Sequence, residues 1–134
     1  MKHDLQKIYA IVVITVVSFS FFYACKDTLE DSRRSDQRRL EEQLKVIRDM
    51  SQQVSCQDSS EWKFTAIGAR GCGGPSGYIS YSVKIDTTAF MNKVKAYTRE
   101  EQEFNKKWNI ISPCNLIQAP KEVTCENGKA RLVY

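Results

Sequence analysis

The chain divides into an uninterrupted apolar run near its start and a longer part in which apolar and polar positions alternate. Ile8 to Ala24 contains no charged side chain, and the short segment before it is net positive with His3 neutral. A positive start, an apolar run and a small residue at its end are typical of a secretory signal. The run is also close to the lower length limit of a transmembrane helix, so an uncleaved signal-anchor is the alternative.

The next pattern predicts an amphipathic helix over residues 36–54, with Ser35 or Asp36 as its N-cap. The apolar positions at helical spacing are Leu40, Leu44, Ile47 and Val54. This stripe packs either on its own domain or on a partner, as a docking helix or short coiled coil. The polar residues 25–35 before it show no apolar periodicity, and we interpret them as a tether.

Beyond this helix the pattern predicts a small α+β domain. Alternation over 61–67 predicts a strand, and 78–85 is a second strand or an extended lead into a helix. A long helix is predicted over 87–109, capped by Asp86 or Thr87. Its apolar stripe consists of Phe90, Val94, Tyr97, Phe104 and Trp108. Such a stripe belongs to the core far more often than to a binding cleft.

A hairpin is predicted at the C-terminus, because Asn127-Gly128 separates two β-prone runs and a type I′ turn needs positive φ at both central positions. The residues expected to face the long helix are Val123, Cys125, Leu132 and Tyr134. The predicted fold class is therefore α+β, with a small antiparallel sheet, a C-terminal hairpin packed on a long helix, an N-terminal amphipathic helix and disulfide staples. The predicted organisation is a signal over 1–24, a tether over 25–35 and a single domain over 36–134, in which helix 36–54 precedes a stapled core over 56–134.

Composition narrows the classes of function. The 134 residues carry a formal net charge of +4 without a basic cluster large enough for nucleic acid. The single histidine, His3, falls inside the predicted signal. Ser76 does not lie in a Gly-x-Ser-x-Gly elbow, and the usual nucleophile–base arrangements need a histidine or a free thiol. We therefore predict no enzyme, no catalytic residue, no metal and no cofactor.

Cys25 differs in context from the other four cysteines. It follows Ala24 at the end of the apolar run, as the lipidated cysteine of a bacterial lipoprotein follows a small residue. Tyr23 and Phe22 are bulkier than the residues usual at those positions. Five cysteines are an odd number for an exported chain, and assigning Cys25 to a lipid leaves four that can pair. The sequence thus predicts a membrane anchor through acyl chains on Cys25.

The remaining cysteines predict two disulfides. We favour Cys56–Cys125 with Cys72–Cys114, and the alternative is Cys56–Cys72 with Cys114–Cys125. A zinc site is disfavoured because no Cys-x₂₋₄-Cys knuckle is present.

Residues 68–77 hold five glycines and demand unusual backbone angles. The segment is interpreted as a turn fixed by Cys72, and alternatively as a loop that contacts a ligand. The candidate ligand-contacting residues are Arg70, Gly73, Gly74, Ser76 and Tyr78.

Several of these motifs occur together in one order. They are Trp62 to Gly68, the Cys-Gly-Gly-Pro element at Cys72 to Pro75, Gly77 to Ser82, Tyr97-Thr98, Phe104-Asn105, Cys114, and Val123 to Lys129. In this order they resemble a family of small, uncharacterised Bacteroidota lipoproteins, over about residues 56–134. Lys26-Asp27, directly after Cys25, resembles part of a surface-export tag of such lipoproteins. The resemblance implies an exported lipoprotein domain and transfers no activity or functional residue.

These observations predict a lipid-anchored lipoprotein of the outer membrane or cell surface. The expected function is a binding module for an extracytoplasmic protein or glycan, without nucleic-acid partners. The alternative is a structural or accessory subunit of a cell-envelope assembly that docks through helix 36–54.

Overall fold

The computed structural model describes residues 28–134, and it confirms the α+β class. Residues 28–51 are helical (α1), and the second helix (α2) spans Thr87–Lys107. The strands are β1 (Trp62–Ile67), β2 (Gly77–Ser82), β3 (Glu122–Glu126) and β4 (Lys129–Val133). They form two separate two-stranded antiparallel sheets, β1–β2 and β3–β4, where the sequence predicted one small sheet.

The predicted signal, Cys25 and Lys26-Asp27 lie outside the described residues. Among residues 28–134, no helix is long and apolar enough to cross a membrane.

Helix α1 begins earlier and ends earlier than its predicted bounds of 36–54. Residues 28–35, predicted as part of the tether, are helical, so neither Ser35 nor Asp36 is an N-cap. No Gly or Pro interrupts residues 28–51, so nothing in the chemistry of this stretch stops a helix there. Leu40 and Ile47 are buried, and Ile47 retains only 1% of its exposure. The apolar stripe of the helix therefore packs within its own domain.

The first hairpin, β1–β2, forms a middle layer with two different apolar faces. Thr65 and Ile79 are directly opposite each other and therefore lie on the same face of the hairpin, together with Ile67 and Tyr81. This face packs against both helices in the main core. Tyr81 lies against Phe90 of α2, with ring centroids 4.9 Å apart. The other face carries Trp62 and Phe64 and packs in a second cluster.

Helix α2 confirms the predicted N-cap and the predicted core stripe. The Asp86 carboxylate accepts a hydrogen bond from the Ala89 N–H at 2.9 Å. Phe90, Val94 and Tyr97 of that stripe are buried, and Phe104 packs partly buried against the same core. Trp108, which was predicted as its last member, lies in neither apolar cluster. The helix ends at Lys107, two residues before its predicted end at 109, because Asn109 adopts a left-handed conformation with φ 48°.

The C-terminal hairpin confirms the predicted turn. Asn127 and Gly128 have φ values of 51° and 75°, as a type I′ turn requires. Its inner face does not pack on α2 as predicted. Instead it joins the second cluster, around Cys56 and Trp62; the hairpin residues of that cluster are Val123, Cys125, Ala130 and Leu132. The disulfide Cys56–Cys125 ties the hairpin to the chain before β1, which places it against the β1–β2 hairpin and away from the helix.

Candidate functional site

A cavity of about 730 Å³ lies between the C-terminal half of α1, the strand β2 and the strand β4. From α1 and the segment after it come Leu44, Arg48, Ser51, Gln52, Val54 and Ser55. From the strands and turns come Trp62, Ile67, Ser76, Gly77, Tyr78, Ile79, Ser80, Gly128, Lys129, Ala130 and Arg131. Three chain segments that are distant in sequence therefore build one concave surface, which is typical of a ligand pocket.

The charged residues that line this cavity are all basic. Arg48, Lys129 and Arg131 line it, and none of the lining residues is acidic. Arg131 lies 3.8 Å from Glu126 through its Nε, at an exposed position where water screens the pair. Among the described residues, Arg48 and Lys129 have no carboxylate within ion-pair distance. The cavity therefore favours a ligand that carries negative charge.

The glycine-rich loop is held on α2 by one carboxylate. Glu101 Oε2 accepts hydrogen bonds from the Ala69 N–H at 2.6 Å and from the Ser76 hydroxyl at 2.9 Å. Its Oε1 accepts from the Tyr97 hydroxyl at 3.0 Å. Burial and the Glu101 carboxylate raise the pKa of Tyr97, so this phenol stays protonated and donates. The loop is thus a positioned element of the scaffold, and it presents Ser76 at the cavity wall.

Two further side chains of α2 hold the same loop. The Gly68 N–H donates to Thr98 Oγ1 at 3.0 Å, and Asn105 Nδ2 donates to the carbonyl of Ala69 at 2.7 Å. The backbone groups of Gly68 and Ala69, at the start of the loop, are therefore satisfied by helix side chains.

The structure separates the predicted ligand loop into two parts. Ser76 and Tyr78 line the cavity. Arg70, Gly73 and Gly74 are not among its lining residues. The Arg70 guanidinium instead donates to the carbonyl of Asn115, and its Nη2 lies 3.8 Å from the sulfur of Cys72. Gly73 and Gly74 have open space where a Cβ would lie.

Cys72 and Cys114 lie together at the surface as thiols, so the predicted bridge between them is not formed in this structure. Cys56–Cys125 is formed, which excludes the alternative pairing of Cys56 with Cys72 and of Cys114 with Cys125. A hydrogen bond from Cys114, together with Ser112 and the charge of Arg70, lowers the pKa of Cys72. The same contact raises the pKa of Cys114. Cys72 is therefore the thiol of the pair that ionises first.

Sequence reasoning missed most of the cavity. Arg48 lies on the exposed side of an amphipathic helix, and Lys129 to Arg131 belong to a hairpin strand. None of these residues belongs to a local sequence motif that would mark a ligand-binding site. Only the placement of the hairpin beside β2 and the end of α1 brings them together.

Metal binding has no support in the described part of the chain. No three side chains of His, Cys, Asp or Glu between residues 28 and 134 are arranged to hold an ion.

Comparisons with protein-family models, with curated proteins and with solved structures found no match to this chain. The resemblance to Bacteroidota lipoproteins therefore stays a prediction.

Proposed function

We propose that this protein is an exported, lipid-anchored binding module, and that its extracytoplasmic ligand, a protein or a glycan, occupies the cavity between α1, β2 and β4. The anchor is the acylated Cys25 of the sequence prediction, at the outer membrane or cell surface.

The cavity carries the proposal. Its volume of about 730 Å³ falls in the range of roughly 300–1,000 Å³ that is usual for ligand sites. The Cys56–Cys125 disulfide fixes one wall to the body of the domain, and the Glu101 hydrogen bonds fix the loop that carries Ser76. A site whose walls are held in this way loses little conformational entropy when a ligand binds.

The apolar residues of α1 do not favour the alternative function, a subunit that docks through this helix. Leu40 and Ile47 are buried in the core, and Leu44 and Met50 pack against them. Most of the apolar area of this stripe is already removed from water, so the stripe gives little driving force for a further partner; Leu29 and Val46, the exposed apolar residues of α1, lie outside it.

The binding function is tested by photo-crosslinking in intact cells. A benzophenone side chain at Tyr78, inside the cavity, should give a discrete adduct, and the same group at the exposed Asn92 of α2, which does not line the cavity, should not. The adduct at Tyr78 should disappear when Gly77→Phe fills the cavity. Absence of any adduct that depends on Gly77 would contradict the proposal.

The anchor is tested separately by intact mass after membrane extraction. We expect an acylated chain that begins at Cys25. A chain that retains Met1, or an unacylated N-terminus, would contradict the lipoprotein prediction.

A further inference from the structure

We infer that the ligand of this cavity is an extended, acidic peptide segment of a partner protein, which adds as a third strand to the free edge of β2. This inference rests on the proposed function, because it names the ligand of the same cavity.

The edge of β2 at the cavity has unpaired backbone groups. Within residues 28–134, β2 pairs with β1 alone. The Val83 N–H donates to the Glu61 carbonyl at 2.8 Å, in line with the register of the hairpin. Because hydrogen-bonded and non-hydrogen-bonded pairs alternate along an antiparallel ladder, the N–H and C=O groups of Tyr78 and Ser80 point away from β1. Both residues line the cavity.

The sequence of β2 has no feature that would prevent another strand from pairing with this edge. Natural edge strands are usually guarded by charges, by Pro or by a bulge. Strand β2 reads GYISYS and contains neither a charge nor Pro, whereas β4 reads KARLV and carries Lys129 and Arg131. An unguarded edge that borders a cavity is the arrangement used for strand addition, in which main-chain hydrogen bonds give the affinity.

The positive charge of the cavity favours an acidic peptide over a basic one. Arg48, Lys129 and Arg131 come from two sides of it, and its lining has no acidic residue. An acidic segment meets complementary charge there, and a basic segment is repelled. Glu101 lies behind Ser76, but both of its oxygens already accept hydrogen bonds.

The aromatic residues of the cavity favour a peptide over an oligosaccharide. Sugar rings are commonly held on an open aromatic face. Trp62 is only 7% exposed, so its faces are covered by the second cluster. The Tyr78 ring meets Phe64 edge to face, with centroids 6.2 Å apart. Trp62 therefore offers no free platform for a sugar ring, and the Tyr78 ring is already held against Phe64.

The test uses the full chain, purified in detergent, and a labelled synthetic peptide in which glutamate alternates with threonine and valine. We expect saturable binding by fluorescence anisotropy at low salt. The same peptide with lysine in place of glutamate should bind at least about tenfold more weakly, because charge complementarity is reversed.

Backbone methylation of the peptide separates strand addition from charge attraction alone. A strand presents alternate N–H groups to its neighbour. N-methylation of one alternate set should weaken binding at least about tenfold through the loss of two or more hydrogen bonds, and methylation of the other set should change it by less than about threefold. Equal effects of the two sets would overturn strand addition.

Protein variants locate the site. Gly77→Phe should abolish binding, because a Cβ at Gly77 meets nothing within 4 Å and the ring enters open space. The matched control is Asn92→Phe, at an exposed position of α2 outside the cavity. Arg48→Gln should weaken binding about two- to fivefold, and Lys95→Gln, on the exposed side of α2, should leave it unchanged. Binding that survives Gly77→Phe in a folded protein would overturn the inference.

An acidic oligosaccharide, polygalacturonate of similar length, is the competing probe. If it binds in a Gly77-dependent manner and the peptide does not, the peptide inference is wrong and the proposed binding function stands. If neither probe binds, the inference is also wrong, and the crosslinking experiment at Tyr78 decides the proposed function independently.

Discussion

Gly68→Ala should destabilise the domain more than the same change at Gly74 of the same loop. Gly68 has φ +75°, which glycine adopts freely and other residues rarely adopt. A Cβ at this position would lie 1.8 Å from Ser76 Oγ and 2.2 Å from Glu101 Oε2. Both of those atoms belong to the contact that holds the loop on α2, so neither can move without breaking it.

The magnitude follows from two costs. A left-handed conformation costs a residue with a Cβ about 1–2 kcal/mol. Displacing Glu101 also loses the charge-assisted hydrogen bonds from the Ala69 N–H and the Ser76 hydroxyl, of which water replaces part at this half-exposed site. We assign about 1.5 kcal/mol to that loss. The sum is about 3 kcal/mol, or a decrease in Tm of about 12–24 °C for a domain of this size.

Gly74→Ala is the matched control. Gly74 has φ +77°, but nothing lies within 4 Å of its Cβ position, so only the conformational cost of about 1–2 kcal/mol applies. Urea denaturation followed by circular dichroism measures both variants. The steric reasoning also requires that Gly68→Ala and Ser76→Ala be non-additive, because the two changes share one contact. Equal losses for Gly68→Ala and Gly74→Ala, or strict additivity with Ser76→Ala, would refute it.

Four further predictions concern the core and the cysteines. Ile47→Ala should lower the free energy of unfolding, measured by urea denaturation, by about 2–5 kcal/mol. Val46→Ala, at a position that is 44% exposed, should change it by less than about 0.5 kcal/mol. Equal effects would mean that α1 is not part of the core. In the reduced protein at neutral pH, iodoacetamide should modify Cys72 before Cys114, because the lowered pKa gives Cys72 more thiolate; mass mapping that finds the reverse order would contradict the assigned pKa directions. In the reduced protein without iodoacetamide, oxidised glutathione should convert Cys72 and Cys114 into one disulfide, and it takes up the two electrons and two protons to form two glutathione thiols. Non-reducing peptide maps that still show both cysteines as free thiols would exclude the bridge. Cys125→Ser should lower stability by about 4 kcal/mol, because the bridge closes a separation of 69 residues; a loss below about 1 kcal/mol would show that packing alone holds the hairpin.

The elements of the fold were largely determined by local sequence. Asn127-Gly128 specified its turn because positive φ at two successive positions suits few other residues. Asp86 capped α2 because its side chain reaches the free N–H of Ala89. The periodicity of Leu40 and Ile47 identified a buried helix face, since a helical period of 3.6 residues brings such positions to one side.

The ends of the helices needed more than periodicity. The apolar stripe that begins at Leu40 predicted a helix start at Asp36, but the helix extends back to residue 28. The additional residues are mostly polar, and because they include no Gly or Pro they can be helical without contacting the core. Helix α2 ends where Asn109 adopts a left-handed conformation. No Gly, the usual signal for such a helix end, marks this position in the sequence.

The cavity was decided by the tertiary structure alone. Arg48, Ser80 and Ala130 are far apart in the chain, and each reads in its own segment as an ordinary helix or strand residue. Which face of the β1–β2 hairpin the C-terminal hairpin covers depends on the Cys56–Cys125 bridge and on burial of Trp62, which are interactions between distant residues. A periodic pattern specifies which side of an element is apolar, because that depends on backbone geometry within a few residues. It does not specify which other element covers that side, because that choice is made by packing and bridging across the whole domain, and the cavity exists only once that choice is made.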